Sequence, residues 1–286
     1  MTLHTINTEL FKLDGGAMFG VVPKSIWQKL NPPDVLNMCT WAMRCMLIED
    51  GKTLTLIDTG IGNKQSEKFF GHYHLDKTNT LEKSINALGY TKNDITTVIL
   101  THLHFDHCGG AVEIVNEKLK PTFINATYYT NANHWQWAIQ PNDREKASFL
   151  ADNILPLQAA GQLQYIDISA YENIGTTIAF TKGVQVKIAN GHTRSMMLPV
   201  ITYKGYTIVY MADLLPSAAH IPLPYIMAYD MFPMQTLLEK KQFLQLAADH
   251  NYLLYFEHDP VHELCSVHYN DKGQVVVKDY YKLSEL

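Results

Sequence analysis

Residues 36–49 are rich in apolar and β-forming side chains, Asp50-Gly51 supplies a turn, and residues 53–57 return, so a hairpin is predicted. Thr80 is placed to cap a helix whose apolar residues Leu81, Ile85 and Leu88 share one face, and Gly89 to end it. Residues 97–100 read as a short buried strand. Residues 133–138 and 143–152 read as helical, with Pro141 breaking between them. In the second half, residues 184–189 form a strand pattern. Residues 198–203, the Lys204-Gly205 turn and residues 206–211 make another hairpin. Residues 236–250 predict a helix, 252–257 a strand, and 270–273 a tight turn before a last strand.

The two hairpins share a layout: strand, Gly turn, strand, then an aspartate (Asp58, Asp213) where the strand ends. Two similar halves imply two mixed sheets packed face to face with helices outside, a four-layer αββα arrangement of the α/β class. With no Ser/Pro-rich linker and no low-complexity tract, residues 1–286 are expected to form one domain.

Composition narrows the function. With 47% apolar residues, the chain can bury a sizeable core, and its net charge of −5 offers no basic excess for nucleic acid. No apolar run approaches the length of a membrane helix. The first ten residues lack a basic segment followed by an apolar one, so a cytoplasmic protein is expected. Cys39, Cys45, Cys108 and Cys265 show no CxxC pairing and are expected to be buried free thiols.

Chemistry concentrates at His102-Leu103-His104-Phe105-Asp106-His107, which follows a predicted strand and precedes Gly109-Gly110. Side chains two apart share a face, so His102 and His104 can turn to one side, and the loop carries Asp106 and His107 to a second point. Imidazoles and a carboxylate suit zinc, iron, manganese or cobalt without thiolates. The glycine pair permits a tight turn and close backbone approach. Another HxH, His72 and His74, lacks a downstream partner and reads as surface.

This pattern resembles the metallo-β-lactamase superfamily, whose hallmark is HxHxDH after a strand, and the resemblance covers nearly the whole chain. Ile57-Asp58-Thr59-Gly60 looks like that family's strand-end motif and Asn190-Gly191-His192-Thr193 its third-histidine motif. Met211-Ala212-Asp213 looks like its bridging acid, and Phe256-Glu257-His258-Asp259 its final histidine. The resemblance implies two divalent metal ions per chain, zinc before iron, manganese or cobalt. One would be held by His102, His104 and His192, the other by Asp106, His107 and His258, with Asp213 bridging. Asp58 would orient a ligand histidine from behind. Hydrolysis would follow, with Asp106 passing a proton to the leaving group.

The Gly-rich segment 15–23, read as a loop too flexible for a routine strand, and the Pro- and aromatic-rich segment after Asp213 resemble those of one branch. That branch contains the N-acyl homoserine lactonases, which act in quorum quenching, and the methyl-parathion-hydrolase-like enzymes. Phe19, His220, Tyr225 and Tyr229 are the substrate-binding candidates, forming a greasy wall for the acyl chain of a small lactone or ester. Many lactonases of this branch carry a tyrosine three residues after the bridging acid; this chain has Pro216 there. The resemblance also implies phosphotriesterase side activity and a homodimer, and offers no nucleic-acid or membrane partner. The main rival is a thioester hydrolase of the glyoxalase II type. Its C-terminal helical domain is not matched by residues 265–282, which read as strand-turn-strand.

Overall fold

The computed structural model describes all 286 residues, which divide into two compact units. The first comprises residues 1–11 and 43–168, the second residues 12–42 and 169–286.

A six-stranded mixed sheet organises the first unit, in the order Thr2–Asn7, Arg44–Asp50, Thr53–Ile57, Thr97–Ile99, Thr127–Thr130, Leu163–Tyr165. The first three strands are antiparallel and the remaining pairings parallel. The hairpin turns at Gly51, whose φ of 64° a side-chain-bearing residue would resist. The long apolar stretch at 36–49 is two strands, Met38–Trp41 and Arg44–Asp50, interrupted where the chain passes from the second unit into the first. Leu47, Leu56, Val98 and Leu100 enter the unit's core beside Ile85, Phe123, Tyr128 and Trp135. Thr80 caps the helix Leu81–Ala87 by accepting from the Lys83 amide.

The predicted helix at 143–152 is displaced: the helix is Ala151–Ala159. Asn142 Oδ1 instead accepts from the amides of Arg144 and Glu145, a local turn that competes with the helical ladder. Pro156 lies inside the observed helix, where the sequence argues against one.

In the second unit a seven-stranded sheet runs in chain order from Ile178–Thr181 to Val275–Tyr281. Its one parallel pairing joins Tyr206–Tyr210 to Leu253–Tyr255, across the 17-residue helix Pro233–Asp249. The chain's end, Leu264–Tyr269 and Val275–Tyr281, is antiparallel strands as expected. Gly15–Phe19 is a short helix where a loop was expected. Asp14 Oδ1 caps it by accepting from the Ala17 amide at 2.8 Å, and Gly20, at φ 57°, ends it. A Cβ on Gly20 would stand 2.2 Å from the Ile226 carbonyl oxygen, so only glycine fits. All four cysteines are buried free thiols, and no helix is long and apolar enough to cross a membrane.

Candidate metal centre

In the first unit, the strand Thr97–Ile99 delivers His102, His104, Asp106 and His107 onto a loop and a short helix, Phe105–Cys108. All four side chains are buried. His102 and His104 offer ligand atoms within 4.8 Å of one another, as do Asp106 and His107. The loop folds tightly because of the glycines behind it. A Cβ on Gly109 would meet the Ile61 carbonyl oxygen at 2.0 Å, and one on Gly110 the Thr59 carbonyl oxygen at 2.2 Å.

Each imidazole is held at one ring nitrogen, which makes the other the candidate ligand atom. His102 Nδ1 lies 3.1 Å from Thr101 Oγ1, and His107 Nδ1 lies 3.2 Å from Asp58 Oδ2. Asp58, buried in a left-handed conformation at φ 56°, also accepts from the Thr101 amide and hydroxyl at 2.8 and 2.6 Å. His104 is held the other way round: its Nε2 lies 3.0 Å from Glu145 Oε1, so Nδ1 is its candidate ligand atom. Glu145 Oε2 accepts in turn from Trp137 Nε1 and Asn142 Nδ2 at 2.6 and 3.2 Å. His134, which no local motif marks, accepts from the Leu103 amide at 2.9 Å and pins the middle of the motif.

In the second unit, His192, Asp213 and His258 are buried. Asp213 Oδ2 lies 3.1 Å from His192 Nε2, and Asp213 Oδ1 lies 3.0 Å from His258 Nε2. Two ligands about 2.0–2.2 Å from a shared ion stand about 3 Å apart, so each oxygen–nitrogen pair has the spacing of neighbours on one cation. The far nitrogens are again held: His192 Nδ1 by Asp230 at 2.9 Å and His258 Nδ1 by the Ala42 carbonyl at 2.7 Å. Burial alone would push the His192 imidazole down, but Asp213 and Asp230 outweigh it and raise the group to about 10. The cluster demands positive charge beside its carboxylates.

The backbone here is tightly specified. Ala212, just before Asp213, has φ 41°, a conformation that strains a residue with a Cβ. A Cβ on Gly191 would meet Thr236 atoms at 2.3–2.5 Å. Glu239, from the same helix as Thr236, accepts from the amides of Asn190 and Gly191. Asp259 accepts from the Ala218 amide at 3.0 Å, tying the segment after Asp213 to the one bearing His258.

Of the wall candidates, Phe19 is fully buried, stacked 4.8 Å from His220 and 5.2 Å from Trp27, with Tyr225 edge-on at 6.1 Å. His220 Nε2 donates to the Met18 carbonyl at 2.9 Å, and its Nδ1 accepts from the Ser217 hydroxyl at 2.8 Å. Burial lowers its imidazole to about 3, so it is neutral. Tyr225 is half-buried and Tyr229 is 39% exposed. The loop carrying Tyr225 rests on Lys240, whose buried Nζ donates to the carbonyls of Pro222 and Tyr225 at 2.8 Å each. Burial lowers that amine to about 7, against the pull of Asp230. His72 and His74 are exposed, as expected.

The sequence pattern of the metallo-beta-lactamase superfamily matches residues 44–258. The chain belongs to this superfamily. An N-acyl homoserine lactonase from Bacillus thuringiensis is 30% identical over 120 residues, which span 38% of this chain and 46% of that protein. The chain therefore matches less than half the length of that relative. Among solved structures, a probable metal-dependent hydrolase from Staphylococcus aureus shares 28% identity, with a TM-score of 0.85 over 98% of this chain and 95% of that one. AidC, a dizinc quorum-quenching lactonase solved with a product, shares the fold at 20% identity and a TM-score of 0.77, over 98% and 95% of the two chains. The α/β fold class expected from the sequence is thereby shown to be the metallo-β-lactamase fold.

Proposed function

We propose that this superfamily member is a two-metal hydrolase that opens lactone rings, N-acyl homoserine lactones first, with phosphotriesters as side substrates. The observation that carries the reading is Asp213, whose two oxygens each stand about 3 Å from a different histidine nitrogen, as in a carboxylate shared by two cations. His102, His104 and His192 would hold one ion, and Asp106, His107 and His258 the other. An all-imidazole and carboxylate donor set fits zinc. When bound, such ions bring water near neutral pKa and polarise the carbonyl under attack.

The remaining steps fall to the chain's own groups. The Asp106 carboxylate takes the proton that attack releases and returns it to the departing alkoxide oxygen. Asp58, Glu145 and Asp230 keep the ligand rings oriented throughout. Tyr225 and Tyr229 face the acyl chain, while Phe19 and His220 set the shape of that wall from the core behind it. Pro216 occupies the place of the lactonase branch's tyrosine, so the grip on the ring falls to this wall. Lactones entering the cytoplasm are the expected substrates.

A hydrolysis panel of lactones, thioesters and phosphotriesters, run with metal analysis, tests the reading. The purified protein should carry close to two ions per chain. Asp106→Asn should cut turnover by about 10²–10⁴-fold, the range of a lost general acid–base, in samples whose metal content is measured alongside. Thioesters turned over far faster than every lactone would reassign the substrate, and full activity after demetallation would sink the metal mechanism.

A further inference from the structure

The first unit holds a cavity of about 160 Å³ for which the proposed hydrolysis has no use. Gly110, behind the ligand motif, forms part of its lining, as does Thr59, whose amide and hydroxyl both donate to the His107 carbonyl. Ile85, Val112 and Phe123 give it an apolar wall, and each is buried.

Its polar groups have one sign in excess. Lys92 Nζ sits 2.7 and 2.8 Å from the two oxygens of Glu113, so these lining groups neutralise each other. Glu9 and Glu82 remain on the lining. Burial pushes the Glu9 carboxyl above its usual range; the group's own backbone N–H opposes this, Asp76 adds to it, and Lys83 opposes it least. Thr122 Oγ1, on the same lining, is buried without a hydrogen-bond partner. The cavity thus combines an apolar wall with a poorly solvated carboxylate and an unsatisfied hydroxyl.

An anion would meet the carboxylates. A bare calcium or magnesium ion needs about six or more oxygen ligands, which an apolar wall cannot supply. A neutral apolar ligand would strip water from Glu9 without compensation. An ammonium group with a hydrocarbon body meets each feature: three N–H donors for Glu9 and Thr122, and carbon surface for the wall. We propose that this cavity binds a small primary amine, its ammonium at Glu9 and its apolar body against Ile85, Val112 and Phe123. An apolar cavity of roughly 150 Å³ admits a benzene ring, so benzylamine is matched in size.

The test is a methyl NMR titration of the metal-loaded full chain with benzylamine and with benzyl alcohol, its neutral counterpart. Benzylamine should shift the Ile85 and Val112 methyls saturably, and bind at least about tenfold more tightly than the alcohol, the difference expected of a charge-assisted contact. Glu9→Gln should bring the amine down to the alcohol's affinity without lowering the unfolding temperature of the unliganded protein. Glu9→Asp, which keeps the charge one methylene further away, should fall between and serves if Glu9→Gln folds poorly. Equal binding of amine and alcohol, undiminished binding in both variants, shifts confined to other methyls, or no saturable shift would each overturn the proposal.

Discussion

Glu145→Gln tests how the ligand set is held. Glu145 uses its two oxygens for different partners: Oε1 faces His104 Nε2, while Oε2 accepts from Trp137 and Asn142. A glutamine has the same shape but one acceptor oxygen. Whichever way its amide turns, an NH₂ group confronts either the imidazole N–H or the indole and amide donors. At least one buried donor is therefore left without an acceptor, at about 1–3 kcal/mol. If the amide keeps Trp137 and Asn142 satisfied, the loss falls on His104, whose imidazole is then less basic and less firmly aimed. Outer partners of this kind change metal affinity by about 10–100-fold, or about 1.4–2.7 kcal/mol, which agrees with the hydrogen-bond figure. Chelator competition measures the affinity, and urea unfolding of the demetallated protein measures stability separately. Metal affinity equal to wild type, with only stability reduced, would refute the claim that Glu145 aims His104.

Gly191→Ala should release metal and lower stability by about 1–3 kcal/mol, read by metal analysis and thermal unfolding, because its Cβ must displace Thr236 and with it the His192 segment. Lys240→Met should stabilise the protein most near pH 7 and below. The amine's native value lies near 7 rather than 10.5, so between those limits the unfolded chain binds more protons and wild-type stability rises with pH. The variant's advantage should therefore shrink as pH increases from 7 to 10; an advantage independent of pH in urea titrations would contradict this. Tyr229→Ala should flatten the dependence of KM on acyl length, which for a buried chain is up to about 0.8 kcal/mol per CH₂, while leaving metal content unchanged.

The hairpins, the Thr80 cap and the HxHxDH loop were legible because each is written in adjacent residues: alternation closed by a Gly turn, a capping hydroxyl, ligands two apart. What supports the ligands was not. Glu145 stands 41 residues from His104, Asp230 stands 38 from His192, and His134 is 31 from Leu103. No local period marks a carboxylate that must cross the fold to reach an imidazole. Asp58 was recoverable only because it sits where a strand ends, in a recognisable motif. The displaced helix at Ala151–Ala159 was obscured by Pro156 and the short helix at Gly15–Phe19 by two glycines, residues whose local preferences tertiary packing overrides here, while the local turn at Asn142 ends the expectation of a helix before it.

The rings of the five candidate ligand histidines are aimed by hydroxyl, carboxylate and carbonyl groups of the protein itself, one fixed partner for each imidazole. Their orientation therefore does not depend on an ion's arrival. Stripping and reloading such a site would then be an exchange with solvent rather than a cycle of collapse and rebuilding. Activity lost to a chelator should return at a rate set by ion entry, and different divalent ions should trade places in one scaffold with the chain's own dichroism unchanged.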